Sequence, residues 1–246
     1  MTSAPKYGSD YEVNAVGQPV GLPVPGWSPR PSPPRTPIVG RFCMVEPLDA
    51  ERHATELFEA LSLDRDGRNW TYNTAGPFAE FAPFRRWVEE SCASHERQAH
   101  AIRDNSLGRA VGVASYINAQ PAVGSVEVGA LNFSPLLQRR PAATEAMYLM
   151  MRRVFDELGY RRYEWKCDSL NEPSRRAAAR LGFRYEGRFR NATITKGRNR
   201  DTDWFSIIDS EWPALRAAFE AWLDPGNFDA AEQQRRPLAS FRPASA

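Results

Sequence analysis

A short turn between a predicted strand and a predicted helix is the part of this sequence best suited to binding an anion. The strand carries Glu127, the turn reads Gln-Arg-Arg-Pro-Ala-Ala over residues 138–143, and the helix begins near Thr144. Small residues let an anion approach backbone N–H groups closely, and the helix dipole adds a positive end. The pattern indicates a phosphate site, and a plain connecting turn is the alternative.

The spacing of the cysteines and histidines indicates no metal or nucleophile chemistry. The sequence holds three of each, at Cys43, Cys92, Cys167, His53, His95 and His100. They form no C-x-x-C pair and no metal-ligand spacing, and no Ser-His-Asp or Cys-His arrangement is visible. We therefore predict reduced, mostly buried thiols and no metal site.

The elements around these residues follow an α/β order with a mixed sheet. Strands are predicted near residues 40–47, 98–103, 109–117, 124–133, 161–167, 183–195 and 202–209. Helices are predicted from apolar residues at helical spacing near residues 49–61, 80–93, 142–158, 171–181 and 211–223. Asp49 is a candidate N-cap, and Gly159 and Gly182 are placed to end two of the helices. A basic loop is predicted between the last two strands.

The two ends of the chain differ in composition from its middle. Nine of the 20 prolines precede Ile38, which excludes a helix there and favours an extended conformation. Apolar residues are scattered through residues 10–37, so we predict an extended arm (1–37) laid on a surface of its own domain or of a partner, with a flexible tail as the alternative. Residues 38–224 form the predicted domain, and residues 225–246 lack periodicity and are predicted to be a C-terminal tail.

Three sequence features occur in order along the chain. They are a Glu-Val-Gly strand at 127–129, the turn at 138–146, and a second motif, N-x-x-S…R-L-G-F…E-G, at 171–187. With these three features, in this order, residues 40–210 resemble the GNAT superfamily of acetyl-CoA-dependent N-acetyltransferases. The resemblance is greatest to the branch that contains the ribosomal-protein N-terminal acetyltransferases. It implies an α/β (α+β) fold of GNAT type, with a mixed, mostly antiparallel central sheet flanked by helices. It also implies acetyl-CoA as co-substrate and no metal.

The same resemblance assigns the residues that hold CoA. The family's pyrophosphate loop, usually Q/R-x-x-G-x-G/A, corresponds to Gln138–Ala143, with Pro141 where the family has glycine. Proline has no N–H to donate, and two neighbouring arginines are expected to bind phosphate through their side chains. Backbone N–H groups near residues 128–131 would polarise the thioester carbonyl. The residues assigned to CoA are Val128, Gly129, Leu131, Gln138, Arg139, Arg140, Pro141, Ala142, Ala143, Thr144 and Asn171.

Two side chains after the central strand are assigned to the reaction by the resemblance. Asn171 matches the asparagine that helps to hold the pantetheine arm and to orient the reacting groups. Many family members have a tyrosine seven residues later as proton donor to the departing thiolate, but this sequence has Ala178 there. Ser174 is the acid that the ribosomal-protein branch implies. The alternative for Ser174 is a hydroxyl that caps its own helix.

Attack on a thioester requires a neutral amine, so a carboxylate that accepts a proton through water is expected. Glu127 is the best candidate because it lies on the strand that leads to the CoA loop. A structural Glu127 held in a salt bridge is the alternative. The rival residue, Glu145, is expected to face helix packing or to cap its turn.

The acceptor side is marked by two segments. Residues 69–78 combine Trp70 and Tyr72 with a Gly-Pro-Phe sequence, which fits either a recognition loop or core packing. Residues 184–200 carry five arginines and one lysine against Glu186. A solvated surface is the usual reason for such a run, and the 3′-phosphate of CoA, an acidic acceptor or ribosomal RNA are the functional alternatives.

These observations predict an enzyme that acetylates a protein N-terminus or a small-molecule amine, and a homodimer is possible. A catalytically weak GNAT-like CoA-binding protein and a ribosome- or RNA-binding protein are the alternatives. The net charge of +2 makes nucleic acid an unlikely partner, and the 42% hydrophobic composition excludes a mostly disordered chain. There is no run of about 18 apolar residues and no secretory pattern at the N-terminus, so we expect a cytoplasmic protein without a membrane partner.

Overall fold

The computed structural model describes residues 11–231 and 233–242, and the predictions for residues 1–10 and 243–246 lie outside this range. The strands are β1 (Tyr11–Val13), β2 (Pro19–Gly21), β3 (Ile38–Val39), β4 (Cys43–Pro47), β5 (Arg97–Asp104), β6 (Arg109–Gln120), β7 (Ser125–Phe133), β8 (Arg162–Asp168), β9 (Arg184–Thr195) and β10 (Arg198–Ile208). The α-helices are α1 (Ala50–Leu61), α2 (Phe81–Ala93), α3 (Pro141–Arg152), α4 (Glu172–Leu181) and α5 (Trp212–Leu223).

Eight strands form one mixed sheet in the order β3-β4-β5-β6-β7-β8-β10-β9. In the described range, β7 and β8 are parallel and every other neighbouring pair in this sheet is antiparallel. A parallel pair needs a crossover connection, and α3 supplies it. The predicted fold class, a mostly antiparallel sheet flanked by helices, is confirmed.

The helix boundaries follow the local signals in the sequence closely. Asp49 caps α1 by accepting the N–H of Arg52 at 2.9 Å, and α4 ends at Gly182, whose φ of 100° favours glycine. The predicted helix 142–158 divides into α3 and a π-helical turn at Arg153–Glu157. α3 is buried along almost its whole length and forms the centre of the larger hydrophobic core.

The predicted basic loop is instead a continuation of the last two strands. β9 and β10 pair as far as Thr195 and Arg198, and they are joined by a two-residue turn. Both turn residues, Lys196 and Gly197, have positive φ, as a tight hairpin of this type requires. Several of the basic side chains on this ribbon are paired with acids, as in the contacts Arg184–Glu211 and Arg188–Asp203.

The C-terminal segment differs from the predicted tail in its described part. Phe228 and Leu238 are buried in the larger core, and the ring of Phe228 packs on Phe42 and Trp222. Arg242 donates to the carbonyl oxygen of Ala179 at 2.9 Å, which ties the segment to the end of α4. Its apolar residues are too few and too irregularly spaced for periodicity to show that they pack.

The N-terminal arm divides into two parts. From Trp27 onward it lies on the domain: the Trp27 indole donates to the carbonyl of Ala122 at 2.8 Å, and Gln98 donates to the carbonyl of Pro33. Before that, β1 and β2 form a separate hairpin. The apolar side chains of this part are exposed and do not pack on their own domain: Tyr11, Val13, Val16, Val20, Leu22 and Val24.

Glu145 has a structural role that the sequence did not show. Its buried carboxylate accepts the backbone N–H groups of Arg41, Phe42 and Cys43 at 2.6–2.8 Å. Glu145 thereby holds the turn between β3 and β4, which the bond from the Gly40 N–H to the Cys43 carbonyl closes. Because residues 40–42 form this turn, the strand predicted from residue 40 begins at Cys43. Burial and this nearby carboxylate raise the pKa of the Cys43 thiol.

We expect Glu145→Ala to lower the free energy of unfolding by about 3–5 kcal/mol, because three backbone donors lose their acceptor at once. The measurement is urea unfolding followed by circular dichroism. Glu89→Ala is the matched control, since Glu89 is half-exposed and forms an i,i+4 pair with Arg85, a type worth less than about 1 kcal/mol. A loss below 1 kcal/mol for Glu145→Ala would contradict the anchoring role.

Candidate active site

The parallel strands β7 and β8 pair over only half of their length. Ser125–Val128 pair with Arg162–Trp165, and beyond these residues β7 continues beside β6 while β8 continues beside β10. The two strands therefore separate from Gly129 and Lys166 onward. A cleft of about 440 Å³ lies at this opening.

A β-bulge in β7 shapes one wall of the cleft. Ser115 of β6 pairs with Gly129, whereas Val113 pairs with Asn132, so β7 carries one extra residue here. Ala130 adopts a φ of 48° within this bulge. Bulges commonly occur beside active sites, where they re-aim backbone and side chains. Gly129 has a packing reason as well, because an added Cβ would collide with the Ile117 side chain.

Glu127 lines the cleft and is held by two neighbours. Its Oε2 accepts from the Asn118 amide at 2.8 Å and lies 2.9 Å from Lys166 Nζ. Lys166 also lies 3.0 Å from Glu164 and stacks on the ring of Trp204. The salt bridge that was the structural alternative for Glu127 is therefore present. The carboxylate nevertheless faces the opening between the strands, with Oε1 directed toward Gly129.

Ser174 also lines the cleft, from the first turn of α4. Its Oγ accepts a hydrogen bond from the Trp165 indole at 3.0 Å, which fixes the oxygen and leaves the hydroxyl proton to be donated. Burial raises the pKa of the neighbouring Cys167 thiol, and the Ser174 hydroxyl opposes that rise. The hydroxyl that could have capped its own helix is thus oriented into the cleft by an indole.

Asn171 supplies the helix cap. Its side-chain oxygen accepts the backbone N–H of Ser174 at 3.2 Å, and Asn171 also lines the cleft. It therefore fixes the start of α4 and with it the position of Ser174. Ala178, seven residues after Asn171, is fully buried in the core.

The turn assigned to the CoA diphosphate lies at the start of α3, apart from the residues that line the cleft. Gln138 anchors it by donating to Asn69 Oδ1 and to the carbonyl of Phe133. Arg139 is exposed with a φ of 62°, Arg140 occupies the N-cap position, and Pro141 is the first helical residue. Proline is well suited to that position because the helix makes no use of an N–H there.

The structure thus brings together part of the predicted site. Glu127, Val128, Gly129, Leu131, Asn171 and Ser174 all line one cleft. The turn residues Gln138–Ala143 and Thr144 are not among the residues that line it, and the Thr144 hydroxyl accepts from Arg180 at 3.0 Å.

Sequence reasoning missed the groups that hold these side chains, namely Asn118, Trp165 and Lys166. Alternation along β8 places Trp165 and Lys166 on opposite faces of the strand, so no single sequence pattern groups them.

Two hydrogen bonds hold the loop of residues 69–78, which the sequence assigns to the acceptor side. The Tyr72 hydroxyl donates to the carbonyl of Leu170 at 3.0 Å, and Lys196 Nζ donates to the carbonyl of Trp70 at 2.8 Å. Tyr72, Asn73 and Thr74 line the cleft, so this part of the loop fits a recognition surface. Trp70 itself is buried and packs on Phe78 and Trp87, which is the core-packing alternative.

The structure describes all three cysteines within residues 11–231 and 233–242. Cys43 and Cys167 are buried, Cys92 is partly buried, and all three are free, as predicted. No group of three or more histidine, cysteine, aspartate or glutamate side chains in this range is arranged to hold a metal ion. None of the helices described there is long and apolar enough to cross a membrane.

Known proteins resemble this chain in sequence and in fold. The family described as "Acetyltransferase (GNAT) domain" matches residues 43–184. A GCN5-related N-acetyltransferase structure from Brucella melitensis is 47% identical with a TM-score of 0.87, covering 89% of this chain and 99% of that chain. A probable GNAT-family acetyltransferase structure from Chromobacterium violaceum is 38% identical with a TM-score of 0.74, covering 80% and 98%. The SPbeta prophage-derived uncharacterized N-acetyltransferase YokL of Bacillus subtilis is 30% identical over 129 residues, 52% of this chain and 71% of its own length.

Proposed function

Because this chain belongs to the GNAT family of acetyltransferases, with acetyl-CoA as the acetyl donor, we propose that it acetylates a primary amine. The acceptor is either the α-amino group of a protein N-terminus or a small-molecule amine. The observation that carries the proposal is the opening between β7 and β8, which both Glu127 and Ser174 line. A proton acceptor and a proton donor thus face the same space.

The proposed reaction is direct attack of the amine on the thioester carbonyl. Backbone N–H groups at the bulge of β7, around Val128–Leu131, polarise the carbonyl oxygen. Glu127 accepts the amine proton through water, and Ser174 donates a proton to the sulfur of the departing thiolate. Asn171 positions Ser174 by capping α4. Positioning of the two substrates and polarisation of the carbonyl supply most of the rate.

The diphosphate of CoA is proposed to bind at residues 138–144. Support comes from the exposed Arg139 side chain, from Arg140 and from the helix N-terminus behind them. Pro141 removes one backbone donor, and the positive charge of the two arginines compensates for it. Location of the diphosphate elsewhere in a crystal structure with acetyl-CoA would refute this assignment.

The serine at position 174, together with the absence of a tyrosine at position 178, supports kinship with the ribosomal-protein N-terminal acetyltransferases. A protein N-terminus is therefore one of the two acceptor classes proposed. An α-amino group, with a pKa near 8, needs less help from a base than a lysine side chain does.

The ion pair between Glu127 and Lys166 favours a second candidate, a CoA-binding protein with weak catalysis. An assay of thiol release from acetyl-CoA, run across peptides with free N-termini and small amines, separates the two. We expect release that depends on the amine. Binding of acetyl-CoA by calorimetry without such release would favour the second candidate, and absence of binding would refute both.

The exposed apolar hairpin β1–β2 supports a homodimer, in which a second copy of the chain covers these side chains. We expect the full chain to have the mass of a dimer in light scattering and a chain lacking residues 1–26 to have the mass of a monomer. The truncation keeps Trp27 and the anchored part of the arm. A monomeric full chain would refute the proposal.

A further inference from the structure

Three cations line the cleft, and one of them has neither a side-chain hydrogen bond nor an ion pair in the part of the chain that the structure describes. Lys166 pairs with Glu127 and Glu164, and Arg97 donates to the Ser91 hydroxyl at 2.9 Å. Arg200 forms no ion pair within the range that the structure describes, and its buried Nε has no hydrogen-bond partner there. Buried donors nearly always have an acceptor, so this guanidinium calls for one that the chain itself does not provide.

A second β-bulge, between β9 and β10, determines where Arg200 lies. Arg200 pairs with Thr193, whereas Thr202 pairs with Phe189, so β9 carries extra residues opposite this point of β10. Asn191, with a φ of 49°, lies in the bulge and donates its backbone N–H to the Asp201 carboxylate at 2.8 Å. This hydrogen bond holds the bulge in place, and a bulge of this kind changes the direction of the side chains around it.

Asp201, the next residue in the chain, and Asp168, which lines the same cleft, are both engaged elsewhere. The Asp201 carboxylate accepts from Asn191 and from the Asn199 amide, and the first of these bonds is the main cause of the lowered pKa of Asp201. Asp168, which lines the cleft, accepts the backbone N–H of Leu170 at 2.9 Å. The carbonyl of Asp201 also accepts the N–H of Ser169, which ties the bulge to the end of β8.

We propose that Arg200 binds a carboxylate on the acceptor, so that the substrate is an amine that carries a carboxylate close to its amino group. This proposal rests on the proposed function. A guanidinium is the side chain best shaped for two parallel hydrogen bonds to a carboxylate. Lys196, in the turn between β9 and β10, donates to the carbonyl of Trp70, next to the segment Tyr72–Thr74 of the acceptor loop that lines the same cleft. None of the diphosphate turn lines this cleft, so we assign the ligand of Arg200 to the acceptor and not to the diphosphate of CoA.

Two matched pairs of acceptors test the proposal and show whether the carboxylate belongs to a small amine or to a peptide. β-Alanine against propylamine tests a small amine, and the amidated peptides Ser-Asp-Ala against Ser-Asn-Ala test a peptide N-terminus. We expect the wild type to prefer the carboxylate member of one pair. Arg200→Gln should lower kcat/KM for that member about 10- to 100-fold and for its neutral match less than about 3-fold. For Arg200→Lys, the loss of kcat/KM for the carboxylate member should be smaller than for Arg200→Gln, because lysine keeps the charge but lacks the planar guanidinium.

Arg198→Gln is the matched control, because Arg198 lies on the same strand and is exposed. It should leave both members of each pair unchanged, and acetyl-CoA affinity should be unchanged in all variants. Equal losses for the two members of each pair in Arg200→Gln would overturn the proposal. So would a wild type without preference for either carboxylate.

A binding experiment makes the proposal independent of turnover. In the presence of CoA, N-acetyl-β-alanine should bind more tightly than N-propylacetamide, or the N-acetylated Ser-Asp-Ala amide more tightly than the N-acetylated Ser-Asn-Ala amide, and Arg200→Gln should abolish the difference. If no amine is acetylated while this difference is present, the proposed function fails and the carboxylate site stands. If amines are acetylated and the difference is absent, the carboxylate site fails alone.

Discussion

Glu127→Gln is expected to lower kcat/KM by about 10²–10⁴-fold at pH 7, the usual contribution of a general base. The variant keeps the shape of the side chain but cannot accept a proton. Its defect should shrink as the pH approaches the pKa of the acceptor amine, because the amine is then already neutral. The measurement is a profile of kcat/KM for wild type and variant between pH 6 and pH 10.

The ion pair with Lys166 calls for a specific control. Glu164 lies 3.0 Å from the same lysine but does not line the cleft, so Glu164→Gln weakens the ion pair without touching the proposed base. We expect this variant to lose less than about tenfold and its loss to be independent of pH. Equal losses in the two variants would show that Glu127 acts only through Lys166.

Ser174→Ala is expected to lower kcat at pH 7 by about 10²-fold or more, the lower end of what a general acid contributes. The structural reason is the Trp165 indole, which occupies an acceptor site of the serine oxygen and leaves the proton for the departing sulfur. Free thiols have a pKa near 8.5. Above that pH the thiolate leaves without protonation, so the loss should shrink as pH rises.

Ser169→Ala is the control for the serine, because Ser169 is buried in the connection between β8 and α4 close to Ser174. Its hydroxyl is assigned no role, and we expect less than about threefold change. Acetyl-CoA affinity should be the same in both variants. Wild-type turnover by Ser174→Ala at pH 7 with a good acceptor would remove Ser174 from the mechanism.

Helix positions were predictable from the sequence because their signals are local. Asp49 and Gly182 mark a helix start and a helix end by chemistry that involves only a few neighbouring residues. The order of the strands was harder, since it depends on which strands meet across the whole chain. The continuation of β9 and β10 through the basic segment was missed because Lys196 is an unusual residue at a turn position that needs positive φ.

The candidate site was predictable only as a set of reacting groups. Glu127 and Lys166 are far apart in sequence and meet because β7 and β8 are parallel neighbours, which no local pattern reveals. The same is true of Trp165, whose indole reaches Ser174 across the start of α4. Glu145 was considered as a second candidate base, but its carboxylate binds backbone N–H groups that are distant in sequence and has a structural role.

The separation of β7 and β8 also has a consequence for amide hydrogen exchange. Beyond Val128 and Trp165, each strand keeps a hydrogen-bonded neighbour on one side only within the range that the structure describes. N–H groups that face the opening should therefore exchange with solvent quickly, although they belong to regular strands at the centre of the sheet. In the free protein, amide exchange should therefore be fast at these residues although it is slow in the strands around them. Acetyl-CoA bound in the opening should slow the exchange of these N–H groups.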